Sequence, residues 1–236
     1  IKEIIQEEKG IIQGVFKLGI IPTIAPYLLP KLMKAHDDNG YDIVLVIEET
    51  TTAQIVEKLL NGALDGAILA TPLKNEKITE HPVYYERFYA YVSPKETSLY
   101  AKKELEEDDL NINRLWLLEE VHCFRGQILR ICNMRKRKSS HSLFSYEAGS
   151  ISTLINIVDS NSGLTIIPEM AIDELSEKQK RNVRPLKGIS PVREISLVTR
   201  REFLRERVLD IIISEVKQAV PQPLLNPDLK KFIVDI

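Results

Sequence analysis

VFKLGIIPTIAPYLLPKLMKAHDDNGYDIVLVIEETTTAQIVEKLLNGALDGAILA, residues Val15–Ala70, decides the fold. Val15–Ile20 is a short apolar run closed by the Ile21-Pro22-Thr23 turn, and it reads as a strand. Ala25–Ala35 then places Tyr27, Leu28 and Leu32 on one helical face, and Gly40 ends that helix. Asp42–Ile47 is a second strand. Thr50, Thr51 and Thr52 lead into a helix over Ala53–Asn61, with Gly62 as its C-cap. Gly66–Ala70 is a third strand. Strand–helix–strand–helix–strand at this spacing predicts a parallel sheet with helices on both faces.

Downstream, Val83–Val92 is extended and aromatic without clean alternation, as expected of a strand crossing between two lobes. Strands follow at Leu115–Leu118, His141–Tyr146, Leu164–Ile167 and Glu194–Thr199. Helices are predicted over His122–Arg137, Ser152–Asp159, Pro168–Leu175 and Phe203–Val220, and the proline-bearing tail from Pro221 is expected to be extended. The pattern gives two Rossmann-like α/β lobes joined by crossover strands. Residues 1–13 read as a helical tail or linker, 14–87 and 200–236 as the first lobe, and 88–199 as the second. Two crossovers imply a hinged cleft, with ligands at the carboxyl ends of the strands.

Composition removes several classes of function. The apolar runs are too short to span a bilayer. The net charge of −2 argues against nucleic-acid binding by these residues themselves, and no DNA-reading motif occurs among them. The chain starts at Ile1 rather than Met, so a further segment is expected upstream. Two cysteines are too few for a secreted disulfide scaffold, which places the chain in a reducing cytoplasm. No phosphate-binding glycine loop or nucleophile elbow is present, and the four histidines form no catalytic set. The chain is therefore read as a non-enzyme without a cofactor.

The residues that carry chemistry lie in Leu117–Arg125, LLEEVHCFR. An apolar strand ends, an acidic turn follows and a helix begins near Cys123, with Phe124, Ile128 and Ile131 on one face. A thiolate at a helix N-terminus is favoured by the dipole, and Arg125 and a protonated His122 add to that. The plainer alternative makes Cys123 a small residue at a strand–helix turn. Cys132 falls beside the apolar stripe. Across a continuous helix the two cysteines stand roughly 13.5 Å apart in rise, whereas a disulfide needs Cα atoms within about 4.4–6.8 Å. They can bond only if the segment unwinds, and Gly126 makes that easier. His122, Cys123, Cys132 and His141 could also be weighed as zinc ligands, but the paired spacing of such sites is missing. The basic run Arg135–Lys138 reads as a solvated helix end. Thr23 and Thr50–Thr52 precede helices; as N-caps they need no further role, though helix N-termini at a cleft could also bind an anion.

Three stretches resemble the effector domain of LysR-type transcription regulators: Leu18–Pro30, Leu59–Ile68, and Gly163–Pro168 after the Ser160–Ser162 turn. The resemblance runs from about residue 14 to 220. His122-Cys123-x-Arg125 with Cys132 nine residues after Cys123 is similar to the sensing segment of the peroxide-responsive, OxyR-type members. That likeness implies Cys123 as the peroxidatic thiol and Cys132 as the resolving one. It also implies that Thr23, Thr52 and His122 surround hydrogen peroxide, with Arg200 in the same polar environment. Gly126 stands where better-known members carry an acidic residue. The family arrangement further implies lobes like those of periplasmic binding proteins, self-association into dimers and tetramers, and DNA contact through an N-terminal domain that this chain lacks.

Four functions follow for testing. The first is a peroxide-driven disulfide switch in a transcription factor. The second is a regulator domain that binds a small metabolite in the cleft, with the cysteines incidental. The third is a solute-binding protein of the same two-lobed architecture, and the fourth a thiol peroxidase.

Overall fold

In the computed structural model the described residues are 12–110, 114–119, 123–131, 148–187 and 191–233, with Cys123 described by its backbone alone. The elements run β1 (Gln13–Ile20), α1 (Ala25–Asn39), β2 (Asp42–Glu49), α2 (Thr52–Leu60), β3 (Gly66–Thr71), β4 (Ile78–Val92), the single turn α3 (Thr97–Tyr100) and α4 (Cys123–Ile131). They continue with α5 (Ile151–Ser160), β5 (Leu164–Pro168), the single turn α6 (Glu177–Lys180), β6 (Val183–Pro185), β7 (Val192–Arg200) and α7 (Glu206–Ala219). The chain divides into two compact units. One takes the chain up to Tyr85 and again Glu194–Pro227; the other takes Glu86–Arg193 and the chain from Asp228.

The first unit holds the sheet order β2-β1-β3-β7. β1 is parallel to β2 from Gln13↔Asp42 to Ile20↔Glu49, and parallel to β3 at Leu18↔Gly66. β7 closes the order antiparallel to β3, pairing Gly66 with Thr199 and Thr71 with Glu194. The expected parallel β–α–β–α–β run is present, and the returning strand lies against it in the opposite sense. Along β1, Phe16, Leu18 and Ile20 are fully buried, the period of two expected of a strand with one core face. Gly40 caps α1 at φ 64°, with its N–H bonded to the His36 carbonyl, so a left-handed residue stops the helix where the sequence places glycine.

The second unit is built on β4, antiparallel to β5 from Phe88↔Pro168 to Val92↔Leu164 and to β6 at Tyr89↔Pro185. The Ser160–Gly163 break works through Gly163, at φ 105°, where a Cβ would lie 2.5 Å from the Arg114 carbonyl oxygen. Both crossings occur inside strands, between Tyr85 and Glu86 on β4 and between Arg193 and Glu194 on β7. The return thus falls near the start of β7 rather than at residue 200, and the end of the tail belongs with the second unit through the Val192↔Ile233 bridge.

Three expectations are corrected. Leu115–Leu118 is not a strand: Leu115 bridges Leu164 while Leu118 bridges Ala148, so the segment changes neighbours before a ladder can form. The helix expected over Pro168–Leu175 is a 3-10 helix, Glu169–Glu174. The tail after Pro221 is not extended but folds into 3-10 turns at Gln222–Leu225 and Pro227–Phe232, held by buried Leu224 and Leu229. Proline suits the first position of such turns, where no donor is required. The strand expected at His141–Tyr146 and the basic run Arg135–Lys138 lie outside the described residues. Among the described residues no helix is long and apolar enough to cross a membrane.

Candidate functional site

The described part of helix α4 begins at Cys123; in the first turn of a helix backbone N–H groups lack intrahelical acceptors and the dipole favours negative charge. The helix is held by its inward face: Phe124 and Ile128 are fully buried, the i and i+4 positions that apolar spacing assigns. Gln127 shares that burial at 0% exposure, yet neither its amide oxygen nor its nitrogen has a hydrogen-bond partner among the described residues. An unsatisfied buried amide costs about 1–3 kcal/mol. In a native protein such a group calls for a functional or solvent explanation, and it sits one helical turn from Cys123.

Arg125 is half-buried and donates from Nη1 to the Leu118 carbonyl at 2.9 Å, tying the start of α4 to the segment before it. A different guanidinium lies deeper. Arg193, near the start of β7, is 1% exposed, and its Cζ stands 5.0 Å from the centroid of the Phe124 ring. Arg193 Nε donates to Glu86 Oε2 at 2.8 Å, and Glu86 Oε1 accepts from the Met170 N–H at 3.0 Å. Burial holds the Glu86 carboxyl above its ordinary value, and the Arg193 charge and these hydrogen bonds offset only part of that rise. Arg193 and Gln127 are the two residues that sequence reasoning missed. The signal for Arg193 was present: a charged residue inside VREISLVTR, a strand otherwise patterned for burial.

Three other expected residues, Thr23, Thr52 and Arg200, belong to the first unit. Thr23 is 3% exposed and precedes Ile24, the N-cap of α1, so its hydroxyl is not the cap. Thr52 is the first residue of α2, and the cap is Thr51, whose Oγ1 accepts from the Gln54 N–H at 3.5 Å. Arg200 is exposed at the far end of β7. His122 and Cys132 lie outside the described residues, as does His141. Among the described residues no group of histidine, cysteine and carboxylate side chains could hold a metal ion.

Two α/β units joined through two strands, with a cysteine opening the described part of a helix in the second, define an α/β domain class that hosts many functions. The chain belongs to the LysR substrate binding domain family, whose match spans residues 9–220. It is 33% identical to the HTH-type transcriptional regulator EstR of Acinetobacter baylyi, over 87% of this chain and 67% of that protein. It is likewise 33% identical to the hydrogen peroxide-inducible genes activator of Haemophilus influenzae, over 92% of this chain and 72% of the relative. The chain thus spans roughly two thirds of the length of these curated relatives. The crystal structure of OxyR from Porphyromonas gingivalis superposes with a TM-score of 0.83 at 33% identity, covering 91% of this chain and 96% of that one.

Proposed function

We propose that this chain is the hydrogen-peroxide-sensing domain of a cytoplasmic transcription regulator, with Cys123 as the reacting thiol. The observation that carries the reading is the start of the described part of α4 at Cys123 with the buried Gln127 amide, unpartnered among the described residues, one turn along. The helix N-terminus favours the thiolate, and an amide without a partner can hold a small polar reactant. Arg193 adds a buried positive charge beside Phe124, the next residue. Arg125 and Arg193, both in the unit that carries Cys123, supply the positive surroundings.

The chemistry balances without a cofactor. The Cys123 thiolate attacks one peroxide oxygen, the O–O bond breaks, and the departing hydroxide takes a proton and leaves as water. Cys123 is then a sulfenic acid. The Cys132 thiol attacks that sulfur, the S–O bond breaks, a second water leaves and a disulfide forms. Because α4 sets Cys123 and Ile131 roughly 12 Å apart in rise, the next residue in the sequence, Cys132, comes within disulfide reach of Cys123 only if α4 unwinds. The altered segment changes how the domain assembles with further copies of itself, and so the placement of DNA-binding domains on the same polypeptide. The switch stays set until an external thiol reduces it, which makes the domain a sensor rather than a turnover enzyme.

The test is peptide mass spectrometry after brief, near-stoichiometric peroxide, with free thiols blocked before digestion. A linked Cys123–Cys132 peptide that thiol reductant reverses is expected. Two blocked free thiols, under conditions that oxidise a control sensor, would overturn the reading. A second reading has one observation in its favour: EstR, a regulator whose name carries no reference to peroxide, matches this chain at the same identity as the peroxide activator. On that second reading this chain binds a small metabolite and its two cysteines are incidental. Thermal stabilisation by a metabolite, with no response to peroxide, would select it.

A further inference from the structure

Phe124 follows the sensing position directly and is fully buried. Its ring lies 5.3 Å from that of Phe88 on β4, tilted by 40°, and carries the Arg193 guanidinium 5.0 Å from its centroid. Arg193 is itself paired with Glu86 at 2.8 Å, both side chains 1% exposed, and Glu86 takes the Met170 N–H just beyond β5. The positions of the pair in the chain matter. Glu86 is the first residue of the second unit on the outgoing strand, and Arg193 is its last residue on the returning strand. Phe88 N–H donates to the Pro191 carbonyl at 3.1 Å beside them. One ion pair therefore ties together the two strands by which the chain enters and leaves this unit, and the ring next to Cys123 covers it.

A guanidinium over an aromatic face is held most strongly where water is excluded. A buried ion pair, in turn, depends on its geometry and hydrogen bonds remaining intact. An aliphatic side chain at position 124 could cover Arg193 but would offer no face to attract it. We infer that Phe124 is the positioning residue through which the winding of α4 reaches the crossover strands. With α4 wound, the ring keeps the Arg193–Glu86 pair dry and the strands tied. When the first turn of α4 unwinds, the ring leaves, water reaches the pair, and the tie between β4 and β7 slackens. This rests on the proposed disulfide switch for its trigger, but the covering role of the ring exists in the reduced protein and is measurable there.

The experiment is hydrogen exchange with mass spectrometry on the reduced and peroxide-treated protein and on Phe124→Leu and Phe124→Ala, reading peptides across Tyr84–Val92 and Leu164–Ala171. In the reduced state, Phe124→Ala is expected to exchange roughly tenfold faster in both peptides, with Phe124→Leu, which keeps apolar bulk, in between. Oxidation should raise exchange there in the wild type and add little in Phe124→Ala, while the Cys123–Cys132 link still forms in all three. Wild-type protection in both reduced variants overturns the inference, as does a wild-type protein that forms the disulfide with no change in these peptides. If no disulfide forms in the wild type, the redox reading has failed. The reduced variants then decide the covering role alone: faster exchange supports it and unchanged exchange overturns it.

Discussion

His36 and Glu215, 179 residues apart in sequence, meet at 2.9 Å between Nδ1 and Oε2, while His36 Nε2 lies 2.7 Å from the Ile43 carbonyl. A carbonyl only accepts, so Nε2 must donate to it. With a carboxylate at Nδ1, both ring nitrogens are donors, which is the imidazolium form. The pair joins α1, β2 and α7 in the first unit, and the Glu215 side chain is 1% exposed.

Stability should therefore fall on the alkaline side of neutrality. Burial alone would lower the His36 pKa, but the Glu215 hydrogen bond, the Ile43 carbonyl and the Glu215 and Asp37 charges outweigh it, and the net shift is upward from 6.5. Folding then takes up a proton. The contribution is full below the unfolded value near 6.5 and is lost as pH rises through the higher folded value. Urea unfolding from pH 6 to pH 9 should show this slope in the wild type, and Glu215→Gln should flatten it. Glu215→Ala, which strands the imidazolium, should cost about 3 kcal/mol. An unchanged slope in Glu215→Gln would remove His36 as its source.

Arg193 and Glu86 should behave as a unit. Arg193→Met leaves a carboxylate buried at 1% exposure without its partner and should destabilise by about 3–5 kcal/mol. The double change Arg193→Met with Glu86→Gln removes the stranded charge and should recover much of that loss. A double-mutant cycle in urea gives the coupling; additive losses would mean that the pair contributes nothing beyond its separate packing. The same Arg193→Met protein should react more slowly with peroxide, read as the rate of thiol loss.

This residue also marks where the sequence could be read and where it could not. The order of strands and helices over Val15–Ala70 was legible because each apolar run has one period and is closed by its own turn or cap. The buried face of α4 was legible in Phe124 and Ile128 four apart. Arg193 and Arg200 flank one strand, and nothing local separates them. Only the arrival of Glu86 and Phe124 from distant parts of the chain buries the first and leaves the second in solvent. Glu215 was legible only as part of a helical repeat, since the partner that makes its burial tenable comes from α1. The tail was misread because prolines signal both extended chain and short 3-10 turns, and the burial of Leu224 and Leu229 decides between them.

Gln127 should separate stability from reactivity. Its amide is buried with neither polar atom satisfied among the described residues, so Gln127→Leu removes that cost and should stabilise the reduced protein by about 1–3 kcal/mol. If the amide holds the reactant, the same change slows thiol loss to peroxide by roughly tenfold or more. Greater stability with an unaltered rate would leave Gln127 as a packing residue with no part in sensing.

Gly126 sets how easily α4 comes apart. A Cβ built there meets nothing within 4 Å, so alanine fits without a clash. Glycine in a helix interior is worth about 1 kcal/mol less than alanine, and Gly126→Ala should stabilise the wound helix by that amount. In the proposed switch the first oxidation happens with the helix intact, so the rate of sulfenic acid formation at Cys123, trapped by a dimedone-type probe, should not change. Disulfide closure in that switch follows unwinding, and its rate should fall by up to about fivefold, the kinetic equivalent of 1 kcal/mol. Slowed trapping with unchanged closure would reverse that order of events and place an unwound helix before the attack on peroxide. Equal rates in both steps would show that the bond forms without passing through the melting of this turn.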